Sequence, residues 1–214
     1  MDEIGNLLQA IKISIVVAIF LLKTGRVLKA IRLFKESLIL LSSKTLKKKR
    51  ELLKAVYIVV HYEMFNGYII INDHTSAIEC GEKLLVLLHD WGASNTEGKI
   101  SVQMANLYNR QRRYDMAKEL YVKALNVAMA TAERGIEEAC YVGLGAVFGS
   151  LGEYVKAEEY LQKGLKISKE IGHKHNEAAA YGILGRVFKS LGEYAKAEKY
   201  LQKDRKSTRL NSSH

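Results

Sequence analysis

The sequence repeats itself at a fixed spacing of 40 residues, and this repeat restricts the fold more than any other feature of the chain. The segment Tyr141 to Lys163 matches the segment Tyr181 to Lys203 at 17 of 23 positions. Fainter copies in the same phase lie around Tyr108 and around Tyr68. A fixed period of about 20 to 50 residues is typical of proteins built from stacked, similar units. The sequence therefore predicts a repeat array over most of its length.

Each unit is predicted to form two helices. Leu144, Val147 and Phe148 recur at helical spacing and form one apolar stripe. Gly152 then provides a flexible turn, and a second apolar stripe begins at Ala157. The chain contains no proline, which favours uninterrupted helices. Because a single helix pair cannot bury both stripes, neighbouring pairs must stack on one another.

These residues resemble the tetratricopeptide repeat. In the clearest copy the family pattern is carried by Tyr141, Leu144, Gly145, Phe148, Gly152, Ala157, Leu161 and Gly164. The resemblance covers the chain from about Ile11 to Lys203 and implies an all-α, right-handed superhelical solenoid of antiparallel helix pairs.

The 40-residue unit is longer than the family's usual unit of about 34 residues. It is similar to the variant found in cell-polarity and spindle-orientation adaptors and in large metazoan arrays. Those adaptors usually carry Asn after Leu-Gly, where it reads the backbone of the ligand. Here Ala146 and Arg186 follow Leu-Gly, so that mode of ligand binding is not implied.

The phase of the repeat predicts the organisation of the chain. Residues 1–60 are expected to form irregular helices with one degenerate unit, and residues 61–100 a second degenerate unit. Residues 101–140 and 141–180 are full units, and residues 181–203 form a truncated one. Residues 204–214, DRKSTRLNSSH, break the pattern and resemble a translated sequencing adapter, although a genuine polar tail is the alternative. On the adapter interpretation, the true chain continues past Lys203.

Cysteine usage and targeting signals predict a cytoplasmic protein. Cys80 and Cys140 are too few for a disulfide framework and are expected to be buried in a reducing compartment. The apolar stretch from Ile13 to Leu22 is interrupted upstream by Lys12, and it is shorter than the roughly 20 residues of a membrane span. The acidic start, Met-Asp-Glu, does not match a signal peptide. No membrane span is therefore expected.

Motifs for catalysis, cofactors and metals are not recognised. The segment from Gly92 to Ile100 has glycines spaced wrongly for a phosphate loop and ends on Ile100 where Ser or Thr is required, so a turn between units is expected. His173 and His175 have no neighbouring third ligand in the sequence and are predicted to lie in a solvated turn. The expectation is a protein that is not an enzyme and that binds no cofactor or metal.

A scaffold that binds a partner peptide, possibly acidic, on the concave face of the array is the function that remains. First helices line that face, and their non-packing positions supply amides for a peptide backbone and cations for acidic residues. The predicted partner-binding residues are Tyr62, Asn66, Gln103, Asn106, Arg110, Arg186 and Lys189.

Two other interpretations remain open. The run from Lys44 to Arg50 and a pI near 9.4 would suit an RNA- or anionic-membrane-binding module, although nucleic acid is the less favoured partner because the tyrosines fall on packing positions. Alternatively, the array is one piece of a larger signalling protein, which is compatible with the scaffold.

Overall fold

Residues 3–42, 46 and 53–211 are described by a computed structural model, and all their regular elements are α-helices. The ten described helices are α1 Glu3–Lys23, α2 Val27–Leu41, α3 Lys54–Ile70, α4 His74–Trp91, α5 Ser94–Arg110, α6 Tyr114–Ala130, α7 Arg134–Ser150, α8 Tyr154–Ile171, α9 Lys174–Ser190 and α10 Tyr194–Asn211.

The helices pack in consecutive pairs within two units, Met1–Ala93 and Ser94–His214. In the first unit α1 packs on α2 and α3 on α4, and α3 also contacts α2. In the second unit the pairs are α5 with α6, α7 with α8, and α9 with α10. Here α7 contacts both helices of the preceding pair, as does α9. These contacts confirm the predicted all-α fold of stacked helix pairs, while the numbered unit boundaries stay a prediction.

The turn inside each pair requires a left-handed backbone conformation. Gly152 and Gly192 adopt φ of +78° and +77°, which costs glycine little because it has no Cβ. At the equivalent positions of the earlier pairs, Asn72 and Arg112 adopt φ of 56° and 59°. Asn tolerates this conformation, whereas Arg is strained by it.

Close approach of the two helices in a pair depends on a second glycine. A Cβ added to Gly145 would lie 2.5 Å from Cγ of Leu161 and 3.2 Å from the backbone oxygen of Ala157. Gly185 occupies the same place in the next pair, where a Cβ would lie 2.7 Å from Leu201. Gly145 and Ala157 therefore lie where the two helices of a pair meet, and a larger residue at Gly145 would not fit there.

Two helix ends differ from the sequence-based expectations. Only Gly92 and Ala93 lie between α4 and α5, so most of the segment predicted as a turn forms the start of α5. Gly92 ends α4 in a left-handed conformation, with φ of 71°. At the other end, α10 runs to Asn211, so the helix does not stop at the point where the repeat pattern breaks. The interpretation of residues 204–214 as a non-native tail stays a prediction.

Helix α1 corrects the expected length of the apolar segment, while the expectation that it does not span a membrane stays a prediction. The sequence pattern predicts an apolar stretch that begins after Lys12, but the helix is apolar on both sides of that lysine. The 20-residue segment Ile4–Lys23 has a mean hydropathy of 2.0 in its 18-residue window, and 11% of that window is buried. By its length and composition alone it could cross a membrane. Core helices and signal sequences share this property.

Both cysteines are buried, as predicted. Cys80 is 5% exposed and Cys140 is fully buried. Burial raises the pKa of each thiol to about 12. Because the thiolate is the reactive form, both side chains are unreactive packing groups in the folded chain.

Candidate first-helix face

The helices α5, α7 and α9 form a continuous row in the unit Ser94–His214. In this row α7 contacts α5 on one side and α9 on the other. We call the exposed surface of these three helices the first-helix face. Five of the residues predicted to bind a partner lie on these helices: Gln103, Asn106, Arg110, Arg186 and Lys189.

On α5 the side chains of Gln103, Asn106 and Arg110 are exposed, as predicted. Asn106 also has a structural role, because its Oδ1 accepts a hydrogen bond of 2.5 Å from the Tyr121 hydroxyl. Its exposed amide group is still placed to donate to a ligand. The binding roles of Gln103 and Arg110 stay predictions, which rest on the suitability of amide and guanidinium groups for a peptide backbone and a carboxylate.

The Tyr121–Asn106 bond depends on the space left by a glycine. A Cβ on Gly143 of α7 would lie 2.3 Å from the Tyr121 ring. Tyr121 is fully buried, and burial raises the pKa of its phenol. One repeat later, Leu161 and Ile183 take the places of Tyr121 and Gly143. In one repeat a large residue faces a glycine, and in the next a smaller residue faces a larger one. This difference is visible in the sequence, but the hydrogen bond between Tyr121 and Asn106 was not predicted from it.

Arg186 lies at a hollow between α7 and α9. The hollow has a volume of about 230 Å³, and Ala146, Gly149, Ser150, Tyr154, Ile183, Val187 and Ser190 line it with Arg186. Small residues on α7 open this space, because Ala146 and Gly149 carry little or no side chain. Lys189 is exposed on α9 but does not line the hollow.

Part of the positive charge on the first-helix face is neutralised, because Arg134 pairs with Glu137 and Glu170 and Lys174 pairs with Glu177. Within the described part of the chain, Arg110, Arg186 and Lys189 form no ion pair. On the second helices, Lys156 and Lys196 each pair with a glutamate one turn away, at 2.5 Å. Those hydrogen bonds raise the pKa of both amines. The first-helix face therefore offers cations that a ligand carboxylate could bind without displacing an existing partner.

Tyr62 and Asn66 lie on α3, in the unit Met1–Ala93. Tyr62 is 38% exposed and Asn66 is half-buried. They share one helix face at a spacing of four residues. The basic run predicted from Lys44 to Arg50 lies outside the described residues, apart from the buried Leu46.

A buried polar cluster was missed by the sequence analysis. The fully buried carboxylate of Glu138 accepts hydrogen bonds from the Ser168 hydroxyl and from Nδ2 of Asn176, the latter at 2.8 Å. Nδ1 of His173 lies 2.9 Å from the same carboxylate. Gly98 and Ala178 occupy the place of Glu138 in the neighbouring repeats. This departure from the repeat was the signal that could have revealed the cluster.

Metal binding finds no support in the part of the chain that the structure describes, where no group of three or more His, Cys, Asp or Glu side chains could hold an ion. His173 lies directly before α9 and is half-exposed. Its contact with Glu138 shows that it also packs against the preceding helix pair. His175 is exposed in the first turn of α9.

The family model for tetratricopeptide repeats matches residues 96–170 and 137–203 of the chain. These two matches together cover half of the sequence. No curated protein sequence matches the chain.

Solved structures with similar folds are distant in sequence. The crystal structure of BtubC from P. vanneervenii is 20% identical with a TM-score of 0.71, covering 98% of this chain and 83% of that one. The apo form of RapI is 15% identical with a TM-score of 0.83, covering 95% and 72%. A signal-transduction ATPase with a tetratricopeptide-repeat sensor from Pyrococcus horikoshii is 19% identical with a TM-score of 0.75. That match covers 89% of this chain but 28% of the ATPase.

Proposed function

Since the chain belongs to the tetratricopeptide-repeat family, we propose that it is a non-catalytic scaffold that binds a segment of a partner protein on the first-helix face. The observation that carries this proposal is the Arg186 hollow between α7 and α9, beside a row of exposed polar side chains. Repeat arrays commonly use such extended surfaces for binding.

An acidic segment is the ligand that best fits the chemistry of the face. Arg110, Arg186 and Lys189 provide three cations without carboxylate partners among the described residues. An arginine can bind a carboxylate through two parallel hydrogen bonds, which adds geometric specificity to the charge. Gln103 and the amide of Asn106 are suited to the backbone of the same segment.

The hollow limits the size of a side chain that can enter. Its volume of about 230 Å³ is below the range typical of small-molecule sites, so a single side chain of a peptide is the appropriate occupant. Ile183 and Val187 provide apolar walls, while Arg186 stands at the polar side. We therefore expect an acidic residue next to an apolar one in the bound segment.

Tyr62 and Asn66 extend the proposal to α3, as a separate contact site in the other unit. The proposal further places the protein in the cytoplasm, where buried cysteines stay reduced. It is compatible with the array being one part of a larger signalling protein.

The test uses fluorescent peptides of extended, acidic-apolar sequence, with the same peptides carrying Lys in place of Asp and Glu as the ligand control. We expect Arg110→Glu combined with Arg186→Glu to weaken binding of the acidic peptides by tenfold or more, about 1.4 kcal/mol or more. The matched control is Lys166→Glu with Lys199→Glu, which makes the same charge change at exposed positions of α8 and α10.

Equal losses in the two double variants would show that net charge, not the first-helix face, controls binding. Binding measured against salt addresses the nucleic-acid alternative. A steep salt dependence with RNA that disappears when the run from Lys44 to Arg50 is neutralised would favour the RNA-binding module.

A further inference from the structure

One side of α1 leaves a row of large apolar side chains uncovered. Ile13, Val16, Val17 and Phe20 follow each other at helical spacing, so they form a single line along the helix. Their exposed fractions are 56%, 59%, 43% and 62%. We call these four residues the α1 stripe. It contains no charged or polar side chain, and apolar patches of this kind mark sites of interaction.

The repeat register identifies the structural role of the stripe. Gly25 and Gly152 both adopt φ of +78°, and each lies two residues after a first helix and two before a second helix. With these glycines aligned, Ile13, Val17 and Phe20 correspond to three residues of α7 that are at most 1% exposed. Those residues are Cys140, Leu144 and Val147.

In the later pairs this surface is covered by the preceding helix pair. At the position of Val16, α7 has Gly143, which packs against Tyr121 of α6. At the position of Phe20, α3 has Gly67, where a Cβ would lie 3.2 Å from Ile31 of α2. The α1 stripe is therefore the surface on which one helix pair stacks against another, and no described helix covers it.

We propose that a second copy of this chain covers the α1 stripe, with the two α1 helices packed antiparallel about a two-fold axis between Val16 and Val17. A two-fold axis brings the same patch of both copies together, so the patch must be self-complementary. This arrangement places Val16 opposite Val17 and Ile13 opposite Phe20. All four contacts of the stripe are then apolar.

The charges near the stripe permit this arrangement. In antiparallel packing about that axis, Lys12 of one copy lies opposite Leu21 of the other, and Lys23 lies opposite Ala10. No two lysines of α1 face each other, so like charges do not oppose association. Stacking of the α1 stripe of one copy on α10 of another copy is less suitable, because the exposed positions of α10 include Lys196 and Lys199.

A hollow beside the stripe provides room for a large side chain of the second copy. It has a volume of about 440 Å³ and is lined mainly by apolar residues of α1 and α3, among them Leu8, Ile15, Val16 and Val59. Val16 belongs to both the stripe and the hollow. Lys12 also lines the hollow, and Leu21 of the second copy, which lies opposite Lys12, is the large apolar side chain placed to enter this space.

Contacts on the opposite side of α1 favour a protein partner over a membrane. Ile11 and Ala18 are buried at 2% and 0% exposure, and Ser37 donates a hydrogen bond of 3.1 Å to the Ser14 hydroxyl. To cross a membrane, α1 would have to give up these contacts. Covering the stripe with a second copy keeps them.

Sedimentation velocity of the full 214-residue chain over a wide concentration range measures the association directly. We expect a dimer whose dissociation constant rises about tenfold or more in Val16→Glu, because burying a charge in an apolar interface without a partner is costly. Leu28→Glu is the matched control, since Leu28 on α2 is 71% exposed and lies outside the stripe. Circular dichroism checks that each variant is folded.

Cross-linking provides a second measurement that keeps an uncharged stripe. Val17→Cys should form a covalent dimer with a short bis-maleimide, whereas Leu28→Cys should not. The native thiols do not interfere, because Cys80 and Cys140 are buried with a pKa of about 12. If Val16→Glu fails to fold, the cross-linking result determines whether a second copy covers the α1 stripe.

A wild-type chain that stays monomeric at every concentration would overturn the proposal, as would unchanged association in folded Val16→Glu. Equal cross-linking of Val17→Cys and Leu28→Cys would also overturn it.

To test a membrane surface as the alternative partner, the same protein is mixed with phosphatidylcholine vesicles containing phosphatidylserine. Vesicle binding by a monomer that is lost in Val16→Glu would assign the stripe to a membrane surface instead.

Discussion

Replacing Gly145 with alanine tests whether the two helices of a repeat are as close as the structure places them. The new Cβ would lie 2.5 Å from Cγ and 2.9 Å from Cδ2 of Leu161. Carbon atoms pack favourably at about 3.5 to 4.0 Å, so both contacts are too short. The Ala157 backbone oxygen, at 3.2 Å, cannot rotate away as a side chain can.

Two opposing contributions determine the effect on stability. Alanine in the interior of a helix is favoured over glycine by about 1 kcal/mol. Forcing an extra carbon into a packed core costs about 1 to 3 kcal/mol. Because fully buried Leu161 and the backbone of α8 both oppose the new Cβ, we expect the cost to be near the upper limit. The net result is a loss of about 2 kcal/mol in the free energy of unfolding.

The same substitution elsewhere gives an internal ranking. At Gly185 a Cβ would lie 2.7 Å from Leu201 and 3.4 Å from the Ala197 oxygen, so we expect a smaller loss. At Gly135, in the first turn of α7, the nearest atom is Cε1 of His173 at 3.6 Å, an ordinary contact. Gly135→Ala should therefore be neutral or stabilise by up to about 1 kcal/mol.

Urea unfolding followed by circular dichroism measures all three variants, with the slope of each transition compared to confirm that the same structure unfolds. We expect Gly135→Ala to be the most stable of the three variants, Gly185→Ala to be intermediate and Gly145→Ala to be the least stable. If Gly145→Ala is as stable as the wild type, the reasoning about helix approach is refuted. A loss of equal size in Gly135→Ala would show that glycine itself, not the contact, determines the effect.

Three further substitutions have expected outcomes. Arg112→Gly should raise the free energy of unfolding by about 1 kcal/mol in urea titrations, because it relieves a φ of 59° that disfavours a side chain. Glu138→Ala should lower it by about 2 kcal/mol, seen as a lower melting temperature, because buried donors lose their acceptor. The pKa of His61 lies below its ordinary value of 6.5, first because of burial and then because of the charge on Lys83. The unfolded chain therefore binds this proton more readily, so stability should fall as the pH drops below about 6.5, and His61→Gln should reduce that fall in unfolding titrations against pH.

Most of the fold could be predicted from the repeat alone. The spacing of Tyr141 and Tyr181, and of Gly152 and Gly192, fixed the helix pairs and their turns in phase. This worked because each repeat must bury the same surface, so that the same positions carry the same sizes. The phase also placed the apolar residues 13–22 on a helix, although the continuation of that helix through Lys12 was not predicted.

The candidate site was less predictable, because its distinguishing residues are departures from the repeat. Asn106 was predicted to be available to a ligand, yet its oxygen accepts a hydrogen bond from Tyr121. The Glu138 cluster brings together residues that are 30 and 38 positions apart in the chain. Periodicity describes what the repeats share and carries no information about contacts that occur in one repeat only.

The fit of the large Tyr121 ring against the small Gly143 affects how such arrays can grow by duplication. The large ring belongs to one repeat and the space for it belongs to the next. If residues 141–180 were duplicated in tandem, Leu161 would meet a second copy of Gly143 in place of Ile183, and a void would open between the two repeats. Such voids cost roughly 1 kcal/mol for each missing methyl-sized volume. Recombination within a first helix, downstream of the position of Gly143, would keep matched partners together, whereas recombination at the turns between helix pairs would separate them.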